Sequence, residues 1–126
     1  EDRYLIELWS STDAKVDTSL HGGELTAAMN TNAQNTASYE DITLRDLMLD
    51  ENFRGGGILV VNSLRINIDN CYISHFMSSG IMVQGGHETY IQNSFLGQRI
   101  TADGSPDEKK FSGVGISLMG NDNAIT

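Results

Sequence analysis

The sequence predicts an all-β chain wound as a parallel β-helix. Three observations carry the prediction: a repeat of about 23 residues, apolar runs of strand length, and glycine, asparagine and serine at the ends of those runs.

The repeat comes first. Phe53-Arg54-Gly55-Gly56-Gly57-Ile58, Phe76-Met77-Ser78-Ser79-Gly80-Ile81 and Phe111-Ser112-Gly113-Val114-Gly115-Ile116 share one pattern, at intervals of 23 and 35 residues. A second series runs out of phase with it: Ile42 to Leu49, Ile66 to Ile73 and Thr89 to Leu96, at intervals of 24 and 23. A fourth copy begins at Asn123-Ala124-Ile125-Thr126. Neither half of the unit shows a 3.6-residue period, which excludes a helical repeat. The unit is too short for a propeller blade of about 40 residues, and it lacks a Leu-x-x-Leu-x-Leu frame.

The runs themselves are short: Tyr4-Leu5-Ile6, Ile58-Leu59-Val60-Val61 and Ile81-Met82-Val83. At this length, bounded by turn residues, they read as strands. Coils stacked about 4.8 Å apart place equivalent side chains on one another. Phe53, Phe76 and Phe111 are therefore expected to stack, and Asp46, Asn70 and Asn93 are expected to share an inward-facing position beside Cys71.

The organisation expected is one partial β-helix domain over 1–126. Residues 1–40 form an irregular first coil: Arg3 to Ser10 is a strand, and Thr18 to Ser38 is a polar excursion with a short helix at Glu24 to Met29. Residues 41–126 form regular coils, interrupted by a polar loop at 99–110 that holds the single proline and accounts for the longer interval. The sequence opens close to an apolar run and stops within a copy, so a longer solenoid is expected, with open coil ends that favour self-association.

Eight Lys and Arg against 17 Asp and Glu give a net charge of −9. That balance argues against nucleic acid, whose phosphates need clustered cations, and against an anionic membrane surface. No apolar run is long enough to span a bilayer. The single cysteine, Cys71, forms no intrachain disulfide. No secretory leader pattern is present. No cofactor and no metal site is expected, since Asp122 in its asparagine-rich turn lacks further acidic ligands.

Several runs carry a resemblance: Ile42-Thr43-Leu44-Arg45-Asp46-Leu47, Ile68-Asp69-Asn70-Cys71-Tyr72-Ile73-Ser74-His75-Phe76, Gln84-Gly85-Gly86-His87-Glu88-Thr89, Asn93-Ser94-Phe95-Leu96-Gly97-Gln98, and Ile116-Ser117-Leu118-Met119-Gly120-Asn121-Asp122-Asn123. From Asp41 to Thr126 the chain resembles the plant polygalacturonases of the QUARTET type, in the pectin-lyase-like superfamily. The resemblance implies a right-handed, single-stranded parallel β-helix, here four to five coils of it. It also implies secretion to the cell wall and a polysaccharide partner, the galacturonan of pectin. The reaction implied is hydrolysis with inversion, in which one carboxylic acid protonates the leaving oxygen and a second carboxylate activates water.

The wider polygalacturonase pattern of Asn-x-Asp, Asp-Asp, Gly-His-Gly and Arg-x-Lys is not present intact. Val114 stands where the histidine of Gly-His-Gly would be, so no catalytic residue is carried over. The residues themselves offer Glu51, Asp69 and His75 as catalytic candidates. Glu51 and His75 are one coil apart and are expected to meet at a turn, where the carboxylate would favour the protonated imidazole, or where both are simply solvated. Asp46 and Asp69 differ by one residue in register and are expected to face opposite ways. Gln84, His87 and Arg54 are the substrate-binding candidates: His87 follows two glycines where the backbone can approach a sugar closely, Gln84 is expected to share its face, and Arg54 suits a carboxylate. The glycines after Arg54 are no phosphate loop, because no Lys-Ser/Thr or helix follows. Arg99, Lys109 and Lys110 lie on the polar loop, and His21 falls in the irregular region.

A pectin-degrading hydrolase and a non-catalytic β-helix that binds polysaccharide or protein are the two readings from different classes. With the motifs missing, this stretch alone is expected to be inactive. A calcium-dependent lyase would need an aspartate-rich site and a catalytic arginine, and neither is evident.

Overall fold

The computed structural model describes residues 3–10, 37–98 and 113–126. The excursion and helix expected within 18–38, the loop at 99–110, Phe111 and His21 lie outside the described residues, apart from the short stretch at 37–38.

Ten strands follow in order: β1 (Tyr4–Leu8), β2 (Glu40–Arg45), β3 (Met48–Asp50), β4 (Gly56–Val61), β5 (Leu64–Asp69), β6 (Tyr72–Ser74), β7 (Ser79–Gln92), β8 (Phe95–Gly97), β9 (Val114–Asn121) and β10 (Ala124–Ile125). The described secondary structure is all β, and every pairing is parallel. One stack runs β1, β4, the first half of β7, then β9. A second runs β2, β5, the second half of β7, then β10, and a third runs β3, β6, β8. Each strand pairs with the equivalent strand one repeat later, an arrangement consistent with a parallel β-helix.

The sequence repeat is the pairing register. Ile58 pairs with Ile81 and Ile81 with Ile116, matching the first series. Ile42 pairs with Ile66 and Ile66 with Thr89, matching the second. Ile125 pairs with Ile91, which places the last copy.

Inward side chains form the core: Ile58, Val60, Ile66, Ile68, Cys71, Ile73, Phe76, Ile81, Val83 and Ile91 are all buried. β4 is buried on both faces, because Leu59 and Val61 pack outward with Tyr4, Met82 and the partly buried Trp9. A strand covered on both sides reads as a continuous apolar run, which is why Ile58 to Val61 shows no alternation.

Sharp corners separate the stacks, and left-handed residues make them. Asp41, Arg65, Glu88 and Asp122 occupy one register column with φ of 57°, 54°, 61° and 56°. Asp46, Asn70 and Asn93 form a second column, at 59°, 53° and 54°. Asn and Asp tolerate this region because a short polar side chain bonds locally. The second column points outward, contrary to the sequence expectation. All three residues are exposed, with Asn70 donating to Asp46 at 2.8 Å and Asn93 donating to Asp69 at 3.0 Å. Positive φ redirects the Cβ at the bend, so strand alternation cannot be counted through it.

Opposite Gly85 and Gly86 lies the single residue Gly120, because Gln84 pairs with Met119 while His87 pairs with Asn121. This is a bulge with two residues facing one. Gly86 has φ of 78°, and a Cβ there would stand 2.1 Å from the Ser63 carbonyl oxygen. The close approach at Gly86 is to the backbone of the neighbouring tier, whereas the sequence expectation is of an approach to sugar.

Candidate functional site

One corner gathers more chemistry than any other among the described residues. It runs from Asp50, at the end of β3, through a tight turn to Arg54, and it meets His75 on the adjoining tier. Asp50 pairs with Ser74, 24 residues on, whereas Ile58 pairs with Ile81, 23 on. One extra residue is therefore accommodated between them. The Arg54 N–H donates to the Glu51 carbonyl at 3.1 Å and closes the turn. Its two central residues, Asn52 and Phe53, have φ of 52° and 61°. Asparagine suits that geometry; phenylalanine does not, and a bulky residue there stores about 1–2 kcal/mol.

Glu51 is the first residue of this turn. It is 7% exposed, and its Oε2 is buried with no hydrogen-bond partner. Burial, reinforced by the charge of Asp50, pushes its carboxyl up to about 7. Asp50 behaves oppositely. Burial pushes it up, but the Asn52 N–H at 2.8 Å and the imidazole of His75 outweigh that and hold it below the usual carboxylate range. Two adjacent carboxyls are thus driven apart in acidity.

The partner of His75 is Asp50 rather than Glu51, as the coil interval had suggested. His75 Nδ1 lies 3.0 Å from Asp50 Oδ1. The left-handed backbone of His75, φ 58°, turns its ring toward β3. Its face meets the ring of Phe53, with centroids 4.6 Å apart and planes 32° from parallel. Phe53 therefore packs on His75, whereas Phe76 is buried in the core. The aromatic stack along the fold is instead Tyr72 on Phe95, also 4.6 Å apart and 15° from parallel.

The structure brings Glu51, His75 and Arg54 to one corner and places the other candidates elsewhere. Arg54 is exposed and, among the described residues, is the arginine that makes no ion pair; Arg3 and Arg45 each have one and Arg65 has three. Asp69 binds Asn93, and Arg45 at 3.1 Å. The Asn93 hydrogen bond, helped by Arg45, keeps its carboxyl low against the opposing effect of burial. Gln84 is fully buried on the face it shares with Leu59, Val61 and Met82. His87, in contrast, is exposed, 3.8 Å from Asp122, so the two do not share a face. Among the described residues no group of three His, Cys, Asp or Glu is placed to hold a metal ion.

Sequence reasoning missed Asp50. The signal was the spacing Asp50-x-Asn52, where a carboxylate caps the N–H two residues on and so marks a turn.

No protein-family model matches the chain, and no solved structure matches it. A curated protein does: polygalacturonase QRT3 of Arabidopsis thaliana is 64% identical over 89 residues. Those residues are 70% of this chain and 18% of that protein, so the chain spans less than a fifth of its relative. Over most of its length, then, this chain is a relative of the QUARTET-type polygalacturonases.

Proposed function

We propose that this chain is part of a pectin-degrading glycoside hydrolase, polygalacturonase-like, that acts on cell-wall galacturonan. The observation that carries the reading is the 64% identity to a polygalacturonase over 89 residues. In this reading the parallel stacks are four to five coils of a right-handed, single-stranded solenoid. The protein is secreted to the wall, uses no cofactor, and meets neither nucleic acid nor membrane.

The corner at Glu51 supports a chemical role. Inverting glycosidases need one carboxyl that keeps its proton near neutral pH and another that stays ionised. Glu51 and Asp50 differ in that sense. Glu51 is the candidate proton donor, His75 the group that orients Asp50, and Arg54 the cation for a galacturonate carboxylate. Asp69 is a poorer candidate, because Arg45 and Asn93 already hold it. His87 remains a proposed contact for sugar on a different part of the surface, whereas Gln84, fully buried, does not.

A second reading, a non-catalytic β-helix that binds polysaccharide or protein, has its own support. Asp41 and Asp69 are held by arginines and Asp50 by a histidine, as in a surface built for stability. The half-buried core residues Ile42, Leu44 and Leu49 on β2 and β3 favour self-association along that edge.

Release of reducing ends from de-esterified polygalacturonan, measured for the full-length protein and for these 126 residues, tests the proposal. Release by the longer protein alone places the catalytic coils elsewhere. Release by both, lost in Glu51→Gln, places the acid here. Release by neither sinks the hydrolase reading in favour of the binding one.

A further inference from the structure

We propose that the turn from Glu51 to Arg54 is an acid-closed latch: the Glu51 side chain stays buried while its carboxyl is protonated, and on ionisation the side chain leaves for water and the turn opens. The inference is independent of the hydrolase reading.

Four observations converge on it. Glu51 is the one charged residue type buried among the described residues, and its Oε2 has no hydrogen-bond partner. An ionised carboxylate held there would have one oxygen that lacks both water and a donor, which is costly; a neutral carboxyl is tolerated far better. The turn is strained at Phe53, so the closed form stores energy that opening releases. Two backbone hydrogen bonds hold the turn shut, from the Arg54 N–H to the Glu51 carbonyl and from the Phe53 N–H to the His75 carbonyl on the adjoining tier. Finally, the extra residue at this point lets the chain change shape without shifting the register of β3 or β4.

The charged and titratable groups around Glu51 are Asp50 on its own strand, Arg54 at the end of the turn and His75 on the adjoining tier. Asp50 opposes ionisation of Glu51. Arg54 is exposed, and His75 directs its Nδ1 to Asp50. None of the three offers Glu51 a compensating ion pair in the closed form.

The direction follows from linkage. A carboxyl whose buried form titrates near 7, against 4.5 when free, favours the closed turn at low pH and loses that contribution as pH rises from about 4.5 through about 7. Between pH 6 and pH 8 the open-to-closed ratio rises about tenfold.

Trypsin reads the opening directly, because Arg54 sits in the turn. Cleavage after Arg54 in the intact protein is quantified by mass spectrometry against cleavage after Arg65, inside β5, in the same digest. The wild-type ratio is divided by that of Glu51→Gln at each pH, which cancels the pH dependence of the protease. The expected result is a quotient that rises about tenfold from pH 6 to pH 8. Asp50→Asn removes the neighbouring charge and should shrink the rise with pH of the Arg54-to-Arg65 cleavage ratio relative to wild type, a comparison that does not need Glu51→Gln. A quotient flat with pH overturns the latch. So does a rise shared equally by Arg65, since that would be unfolding of the whole fold.

Discussion

The glycine pair at the β7 bulge allows a sharp test, because its two members differ in surroundings but little in backbone angle. Gly85 and Gly86 have φ of 74° and 78°. A Cβ on Gly85 meets nothing nearer than the Asn62 Cα at 3.8 Å, whereas on Gly86 it stands 2.1 Å from the Ser63 oxygen and 2.6 Å from the Ser63 nitrogen. Gly85→Ala therefore costs the left-handed penalty alone, about 1–2 kcal/mol. Gly86→Ala adds backbone displacement of about 1–3 kcal/mol and weakens the bond from the His87 N–H to the Ser63 carbonyl, worth about 1 kcal/mol. The gap between the variants should be at least about 2 kcal/mol. In urea unfolding followed by Trp9 fluorescence, that is a difference of about 1 M in midpoint. Coincident midpoints for the two variants would refute the close-approach account and leave these glycines serving turn geometry only.

Other predictions follow from the same geometry. Phe76→Ala, emptying a site that is 1% exposed, should cost about 3–5 kcal/mol, and Phe53→Ala less than half of that, both measured by urea unfolding. Glu7 is pushed up by burial but held lower by Arg3, the Trp9 indole N–H and the Tyr4 N–H. Its contribution is present above about pH 4.5 and lost as pH falls below, so Trp9 emission should change on acidification in wild type and not in Glu7→Gln. Arg54→Ala should alter stability by less than about 0.5 kcal/mol, yet weaken retention of the full-length protein on immobilised galacturonan. Unchanged retention would remove Arg54 from the proposed site.

The strands and their register were legible because a parallel stack repeats its pairing at a fixed interval. Ile58, Ile81 and Ile116, spaced 23 and 35 residues apart, are paired in register, the longer interval taking in the insertion. Side-chain direction was legible within strands and failed at corners. Asn70 and Asn93 were expected inward and stand outward, because a left-handed residue resets the alternation. The same cause moved His75 onto Asp50 and Phe53 onto His75. Burial of Glu51 was hidden for a further reason: a glutamate between Asp50 and Asn52 reads as a solvated turn, and only the tertiary arrangement covers it. Cys71, in register between Leu47 and Ser94, lies in the core near which it was expected.

The column Asp41, Arg65, Glu88 and Asp122 repeats one backbone shape in every tier but not one charge. Arg65 stands between Asp41 at 2.7 Å and Glu88 at 3.9 Å, with Glu40 at 3.5 Å. A tier moved one place along the fold would keep its shape and its apolar interior, but it would take Arg65 from between Asp41 and Glu88 and set those two carboxylates together. The coils are alike as mouldings and distinct as addresses, and the order of the stack is written on its outside edge.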